Sequence, residues 1–216
     1  MDHRQRILTV IILTFMVTLA VVILTEDLYQ SMIFSWKIEK ETVLVYDVRV
    51  TGSVSSGNTT LPLSFAQMNN TRISATIVSL PNVSIIFYAS DFLENVVDRL
   101  KTHSRFANGT DIPVEFGNPI NTHISHCILP TGGWRHLDWF FPNHIDSPSS
   151  EHESYLSVFQ QNLFYFGYSS NQTTEAEQWY GIVNLDTGIP QVVSFWIYRT
   201  SPLTISSYAV TLFLIP

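Results

Sequence analysis

Hydrophobic positions follow two different patterns along the chain. From Ile7 to Leu24 the run ILTVIILTFMVTLAVVIL carries no charge, and as a helix it would extend roughly 27 Å, near the thickness of a bilayer's hydrocarbon core. From residue 41 onward apolar residues instead alternate with polar ones. In TVLVYDVRVT (42–51), Leu44, Tyr46, Val48 and Val50 share one side, while Asp47 and Arg49 take the other, the period of a half-buried strand. The same reasoning predicts strands at 73–80, 83–88, 163–168, 179–185, 191–198 and 206–215, with Gly52 to Thr60, Pro81-Asn82 and Asp186-Thr187-Gly188 as turns.

Helical spacing recurs at Phe92, Leu93, Val96, Val97 and Leu100 behind a cap at Ser90 or Asp91, with an end near Lys101 to His103. Shorter helices are predicted at 120–129, 134–141 and 150–160, the last from the capping box of Ser150 with Glu153. Short links between the late strands require antiparallel pairing. The fold class that follows is α+β: an N-terminal transmembrane helix, then a curved antiparallel sheet of about seven strands packed against helices.

Charge sets the expected orientation. Arg4 and Arg6 precede the apolar run and Glu26 and Asp27 follow it, which by the positive-inside rule predicts a cytoplasmic tail (1–6), a signal anchor (7–24), a juxtamembrane segment (25–40) and an extracytoplasmic domain (41–216). Tyr29, Phe34 and Trp36 would be interfacial aromatics, and Thr18 and Ala20 leave a cleaved signal peptide as the alternative. The sequons at Asn58, Asn69, Asn82, Asn108 and Asn171 all follow the apolar run, as candidate N-glycosylation sites on an exported surface. A net charge of −7 without a basic cluster argues against nucleic acid as a partner. Cys127 is the sole cysteine, so no intrachain disulfide is available, which suits a prokaryotic-type cell surface.

Candidate chemistry is sparse. His123, His126 and Cys127, with His136, His144 and His152 further on, are the densest set of potential metal ligands, but they lack the two close pairs of a structural zinc site. Cys127, inside the apolar stretch 124–129, reads as a small buried hydrophobe. Asp186-Thr187-Gly188 has the letters of an aspartic-protease loop, yet it occurs once and no glycine follows it, so it reads as a hairpin turn. Glu151 and Glu153 fit a helix start better than an acid/base pair. Gly132-Gly133-Trp134 and Trp139-Phe140-Phe141-Pro142 could line a pocket or fill a core. No nucleophile elbow or phosphate loop is present. These residues predict no enzyme, no metal and no cofactor.

The hairpin WYGIVNLDTGIPQVVSFWIYRT and the strand ETVLVYDVRVTG resemble those of uncharacterised single-pass archaeal surface proteins. They are similar, more faintly, to LolA/LppX-type lipoprotein carriers. That resemblance implies a half-barrel with an apolar concave face and a lipid or other apolar ligand as partner, and it carries no catalytic residue across. The expected function is a membrane-anchored, non-catalytic binder of such a ligand. The alternative is a protein-protein interaction or structural module of a cell-envelope assembly, and a metal-dependent hydrolase around His123 and His126 is a third reading. An apolar cavity of about 300 Å³ or more would mark the first reading, and a filled core with an exposed patch the second.

Overall fold

The computed structural model describes residues 3–31, 33–56, 58–61, 66–83, 99–132, 144–145, 153–160, 163–172 and 174–216. Helix α1 (His3–Ser31) is followed by β1 (Val43–Ser56), β2 (Thr59–Leu61), β3 (Arg72–Ser79), β4 (Lys101–Phe106), helix α2 (Val114–Cys127), β5 (His144–Ile145), β6 (Glu153–Gln160), β7 (Leu163–Asn171), β8 (Glu175–Asn184), β9 (Ile189–Thr200) and β10 (Thr204–Leu214). The strands form one antiparallel ten-stranded sheet in the order β4-β3-β1-β10-β9-β8-β7-β6-β5, with β2 on β1. Hairpin links build the run from β6 to β10. The long-range step is β10 pairing with β1, where Tyr46 lies opposite Leu214 and Val50 opposite Val210.

This architecture corrects the expected fold class. Among the described residues no helix is long and apolar enough to cross a membrane, which overturns the transmembrane helix read at 7–24. The sheet has ten strands where about seven were expected, because short polar strands carry little hydrophobic alternation to detect. Phe34 is buried in the core and the Trp36 indole N–H donates to the Pro81 carbonyl at 2.7 Å. Both side chains therefore serve the domain and not an interface with lipid.

Two local expectations also change. Residues 153–160, read as a helix from the capping box, form β6, whose register against β7 runs from Glu153 opposite Ser170 to Gln160 opposite Leu163. A neighbouring strand with open hydrogen-bonding groups outweighs a cap that offers the backbone only its first turn. The stretch 101–103, taken as a helix end, opens β4. The helices expected at 90–103 and 134–141 fall, apart from that end, outside the described residues, as does most of the strand at 83–88. Strand β1 runs on through Gly52, where a turn was expected. Gly52 has φ +133°, and a side chain there would sit 2.2 Å from the Ser207 carbonyl, so glycine lets β1 and β10 stay paired through a local distortion.

The core lies on the inner face of the sheet. Leu44, Tyr46, Val48 and Val50 of β1, Ile73, Ala75 and Ile77 of β3, Val193, Phe195 and Ile197 of β9, and Val210 and Leu212 of β10 are buried together. Helix α2 closes over them with Ile120, Ile124 and Cys127, each fully buried aliphatic side chain contributing about 1.5–3 kcal/mol. Beyond α2 the chain is pinned twice. The Leu129 N–H donates to the Gly188 carbonyl at 2.9 Å, and Thr131 and Ser35 exchange backbone hydrogen bonds of 2.7 and 2.9 Å.

The Asp186-Thr187-Gly188 turn is a hairpin turn as expected: the Gly188 N–H donates to the Asn184 carbonyl at 2.7 Å and the Asp186 N–H to Asn184 Oδ1 at 2.8 Å. Gly188 has φ +72°, and a Cβ there would lie 1.9 Å from the Leu129 carbonyl oxygen. Gly188→Ala should therefore combine left-handed strain with a backbone collision and lower unfolding free energy by more than about 2 kcal/mol, read as a fall in the urea midpoint at unchanged m.

Candidate functional site

Among the described residues, polar or aromatic groups collect at the seat of α2, in the cleft between α2 and β4, on the outer face of β7 to β10, and around the Arg199–Glu175 pair in a polar cavity of about 420 Å³. At the first, α2 presents His123 and Cys127 to the inner face of β8 and β9. Gly181 on β8 makes room, since a Cβ at that position would stand 2.6 Å from Cys127 Sγ. His123 is stacked on Phe195 at 4.3 Å between ring centroids, with Trp179 at 6.2 Å and His126 edge-on at 6.3 Å. Its Nε2 lies 3.4 Å from Glu177 Oε1, and its Nδ1 is buried with no hydrogen-bond partner among the described residues.

Burial decides the ionisation here. It pushes the His123 imidazole down to about 3, with nearby His126 adding to the effect, so the ring is neutral at physiological pH despite the carboxylate beside it. Burial, and then repulsion from Glu175, raises the Glu177 carboxyl above its ordinary value against the opposing pull of Arg199. The Cys127 thiol and the Tyr46 hydroxyl are both pushed up by burial, so neither is an activated nucleophile. Among the described residues no three His, Cys, Asp or Glu side chains converge as a metal-binding set. His123 and His126 do share a helix face, as their spacing implied. His136 and His152 lie outside the described residues, and only the backbone of His144 is described. Glu151 and the aromatic segment 133–143 also lie outside them.

Among the described residues, the apolar cavity under α2 is too small for a lipid. Where α2 meets β1, β9 and β10, the apolar cavity between Val48, Met68, Phe116, Ile120, Phe195 and Tyr208 measures about 10 Å³, space for one water. The α2–β4 cleft is larger, about 330 Å³, and polar, with Lys101, Thr102, Asn121 and Ser125 along it. Hydrogen bonds cross its floor: the Thr102 N–H donates to Ser125 Oγ at 3.1 Å, the Thr102 hydroxyl donates to the Asn121 carbonyl at 2.9 Å, and Ser125 Oγ–H reaches the same carbonyl at 2.7 Å, while Asn121 Oδ1 is buried with no partner among the described residues. These bonds also cover part of the β4 edge, where the Phe106 N–H is taken by the Thr110 carbonyl at 2.9 Å.

The outer face divides in two. On β1, β3 and β4 it is charged, with Asp47 paired to Arg72 at 3.2 Å, Arg49 to Asn70, and Arg105 to Asp111 at 2.9 Å. On β7 to β10 the outward positions, fixed by register, carry aromatic, aliphatic, hydroxyl and amide groups and no charge: Tyr165, Gln178, Tyr180, Ser194, Trp196 and Tyr198, then Ser207 and Thr211. Tyr165 and Tyr180 are stacked at 5.0 Å and 16°, and Trp196 and Tyr198 lie at 6.1 Å and 17°. Small residues face two of these rings across the strands, Gly167 opposite Tyr180 and Ala209 opposite Trp196. The Trp196 indole N–H crosses to Ser207 Oγ at 3.1 Å, and the Ser194 and Thr211 hydroxyls meet at 3.0 Å. No chemical motif marked this face in the sequence; the alternation within each strand contained it, but only the register joins the strands. The five sequon asparagines are all exposed, with Asn171 at the end of β7.

The neutral, buried His123 gives a pH dependence with a definite sign. An unfolded chain binds a proton at His123 below about pH 6.5 that the folded chain refuses down to about 3. Its contribution is therefore fully present above pH 6.5 and is lost as pH falls toward 3, by up to about 1.4 kcal/mol per pH unit. The raised Glu177 carboxyl acts in the opposite sense, losing stability as pH rises through its unfolded value. Urea unfolding of wild type and His123→Phe at matched pH separates the two: the variant should lose the His123 slope, and parallel profiles would contradict it.

No family model matches the sequence and no curated protein matches it. Among solved structures the chain is similar to a point mutant of transferrin binding protein B from Haemophilus parasuis Hp5, at 7% identity and a TM-score of 0.27, covering 84% of this chain and 28% of that one. It is similar also to isotype 1 transferrin binding protein B from serogroup B Neisseria meningitidis, at 6% identity and a TM-score of 0.26, covering 83% and 26%. The chain thus spans less than a third of either structure, and no functional argument rests on a likeness this slight.

Proposed function

We propose that this protein is a non-catalytic binding module that holds a macromolecular ligand across the outer face of β7 to β10. One observation carries the reading: four strands present an uncharged outer surface on which Tyr165 and Tyr180, and Trp196 and Tyr198, form two ring pairs with amide and hydroxyl groups between them. Aromatic side chains give large contact area at low entropic cost, and a surface without charge costs little to desolvate.

The other readings draw less support. A lipid would need space, and the apolar cavity where α2 meets β1, β9 and β10 measures about 10 Å³. Strand addition at β4 would need open edge groups, and those of Thr102 and Phe106 are taken within the chain. Hydrolysis around His123 would need a ligand set and solvent access, and His123 is buried against Phe195.

Hydroxyl-radical footprinting of the protein incubated in an extract of its source cells tests the proposal. Tyr165, Tyr180, Trp196 and Tyr198 should be protected in the bound fraction. Gln178→Glu, which adds a charge beside Trp196 at constant shape, should reduce retention about tenfold or more. Protection confined to Lys101, His103 and Arg105, or to the α2–β4 cleft, would refute it.

A further inference from the structure

We infer that Asn108, at the tip of the turn that follows β4, is a sequon asparagine the folded domain presents for N-glycosylation, and that Asn58 and Asn69 are held back by the sheet. The inference does not depend on the binding surface proposed above. All the sequon asparagines are exposed, so exposure does not separate them. Their hydrogen bonds do.

In Asn108-Gly109-Thr110 the Asn108 Oδ1 accepts the Thr110 N–H at 3.0 Å and the Thr110 hydroxyl at 2.7 Å, which makes an Asx turn. Asn108 Nδ2 makes no hydrogen bond among the described residues. Two donors on the carbonyl oxygen draw electrons from the amide, so that an Nδ2 proton is lost more readily, and the sequon hydroxyl already lies beside the nucleophile. The Gly109 N–H donates to the Phe106 carbonyl at 2.8 Å and the Phe106 N–H to the Thr110 carbonyl at 2.9 Å, so residues 106–110 close the turn by themselves. Gly109 has φ +86°, and a Cβ there would meet nothing within 4 Å. The tip stands clear of the domain.

The sequon at Asn69 is arranged differently. Asn69 Oδ1 accepts the Val50 N–H of β1 at 3.0 Å, and the Thr71 hydroxyl donates to the Met68 carbonyl at 2.6 Å, so amide and hydroxyl are engaged with separate partners. At Asn58 the third residue, Thr60, is paired with Ser55 in the β1–β2 ladder, and a transferase could bend that segment only by breaking the pairing. The third residues of the other two sequons, Ser84 and Thr173, lie outside the described residues.

The donor is an oligosaccharide on a lipid diphosphate, met once the domain has left the cytoplasm. Asn108 Nδ2 bonds to the anomeric carbon as the bond from that carbon to the diphosphate oxygen breaks; the lipid diphosphate leaves with the electron pair, and a transferase base takes the Nδ2 proton. Strand β4 ends the sheet and is separated from β10 by β3 and β1, so a glycan here adds bulk beside an edge strand and leaves the β7–β10 face open.

Glycopeptide mass spectrometry of the intact protein from its source cells should find a glycan on Asn108, with at most a tenth of that occupancy on Asn58 or Asn69. In vitro, folded protein given an oligosaccharyltransferase and a lipid diphosphate oligosaccharide should show the same order of rates. Gly109→Ala keeps the sequon but strains the left-handed turn, and should slow transfer to Asn108 about fivefold, with folding verified by circular dichroism. An unmodified Asn108, a smaller difference from Asn58 or Asn69, or an unchanged rate in Gly109→Ala overturns the inference.

Discussion

Everything else in the domain depends on helix α2 lying flat against the inner face of β8 and β9. Close approach is possible because Gly181 has no side chain under Cys127, and it is fixed by His123 packing on Phe195 and by Ile120 and Ile124 entering the core. A sheet of this width has two large faces, and one short helix can cover only part of one of them. Where α2 meets β1, β9 and β10 it leaves an apolar cavity of about 10 Å³.

That seat is bound tightly enough to hold an unfavourable group. A buried imidazole whose Nδ1 has no partner among the described residues, with a carboxylate beside it, is a cost the packing must offset. The protein meets it by keeping His123 neutral and by drawing protons toward Glu177. The cluster therefore has the polar letters of an active site without its chemistry. The thiol is protonated, the histidine is shielded by aromatic rings, and no third metal ligand joins them among the described residues.

Much of the sheet was legible. Strands β1, β3, β7, β8, β9 and β10 announce themselves by alternation, and the turn at Asp186-Thr187-Gly188 by its residues, because a two-residue period and a left-handed glycine are local properties. Helix α2 was visible over its second half through Ile120, Ile124 and Cys127, although Pro119 sits inside it. The misreadings have a common cause. Ser150 with Glu153 satisfies the local rule for a helix start, as the apolar run at 7–24 does that for a membrane span, and a local rule cannot see a neighbouring strand such as β7.

By itself the sequence determined that the chain is β-rich, that no intrachain disulfide staples it, and that no motif specifies a reaction. Tertiary structure decided which residues stand together. Register brought Tyr180 to Tyr165 and Gln178 to Trp196, and pairing of β10 with β1 set the line where the uncharged face ends and Asp47 and Arg49 begin. The reason is that side-chain direction repeats every two residues and can be read locally, whereas the partner across the sheet is chosen by hydrogen bonding and burial over the whole domain.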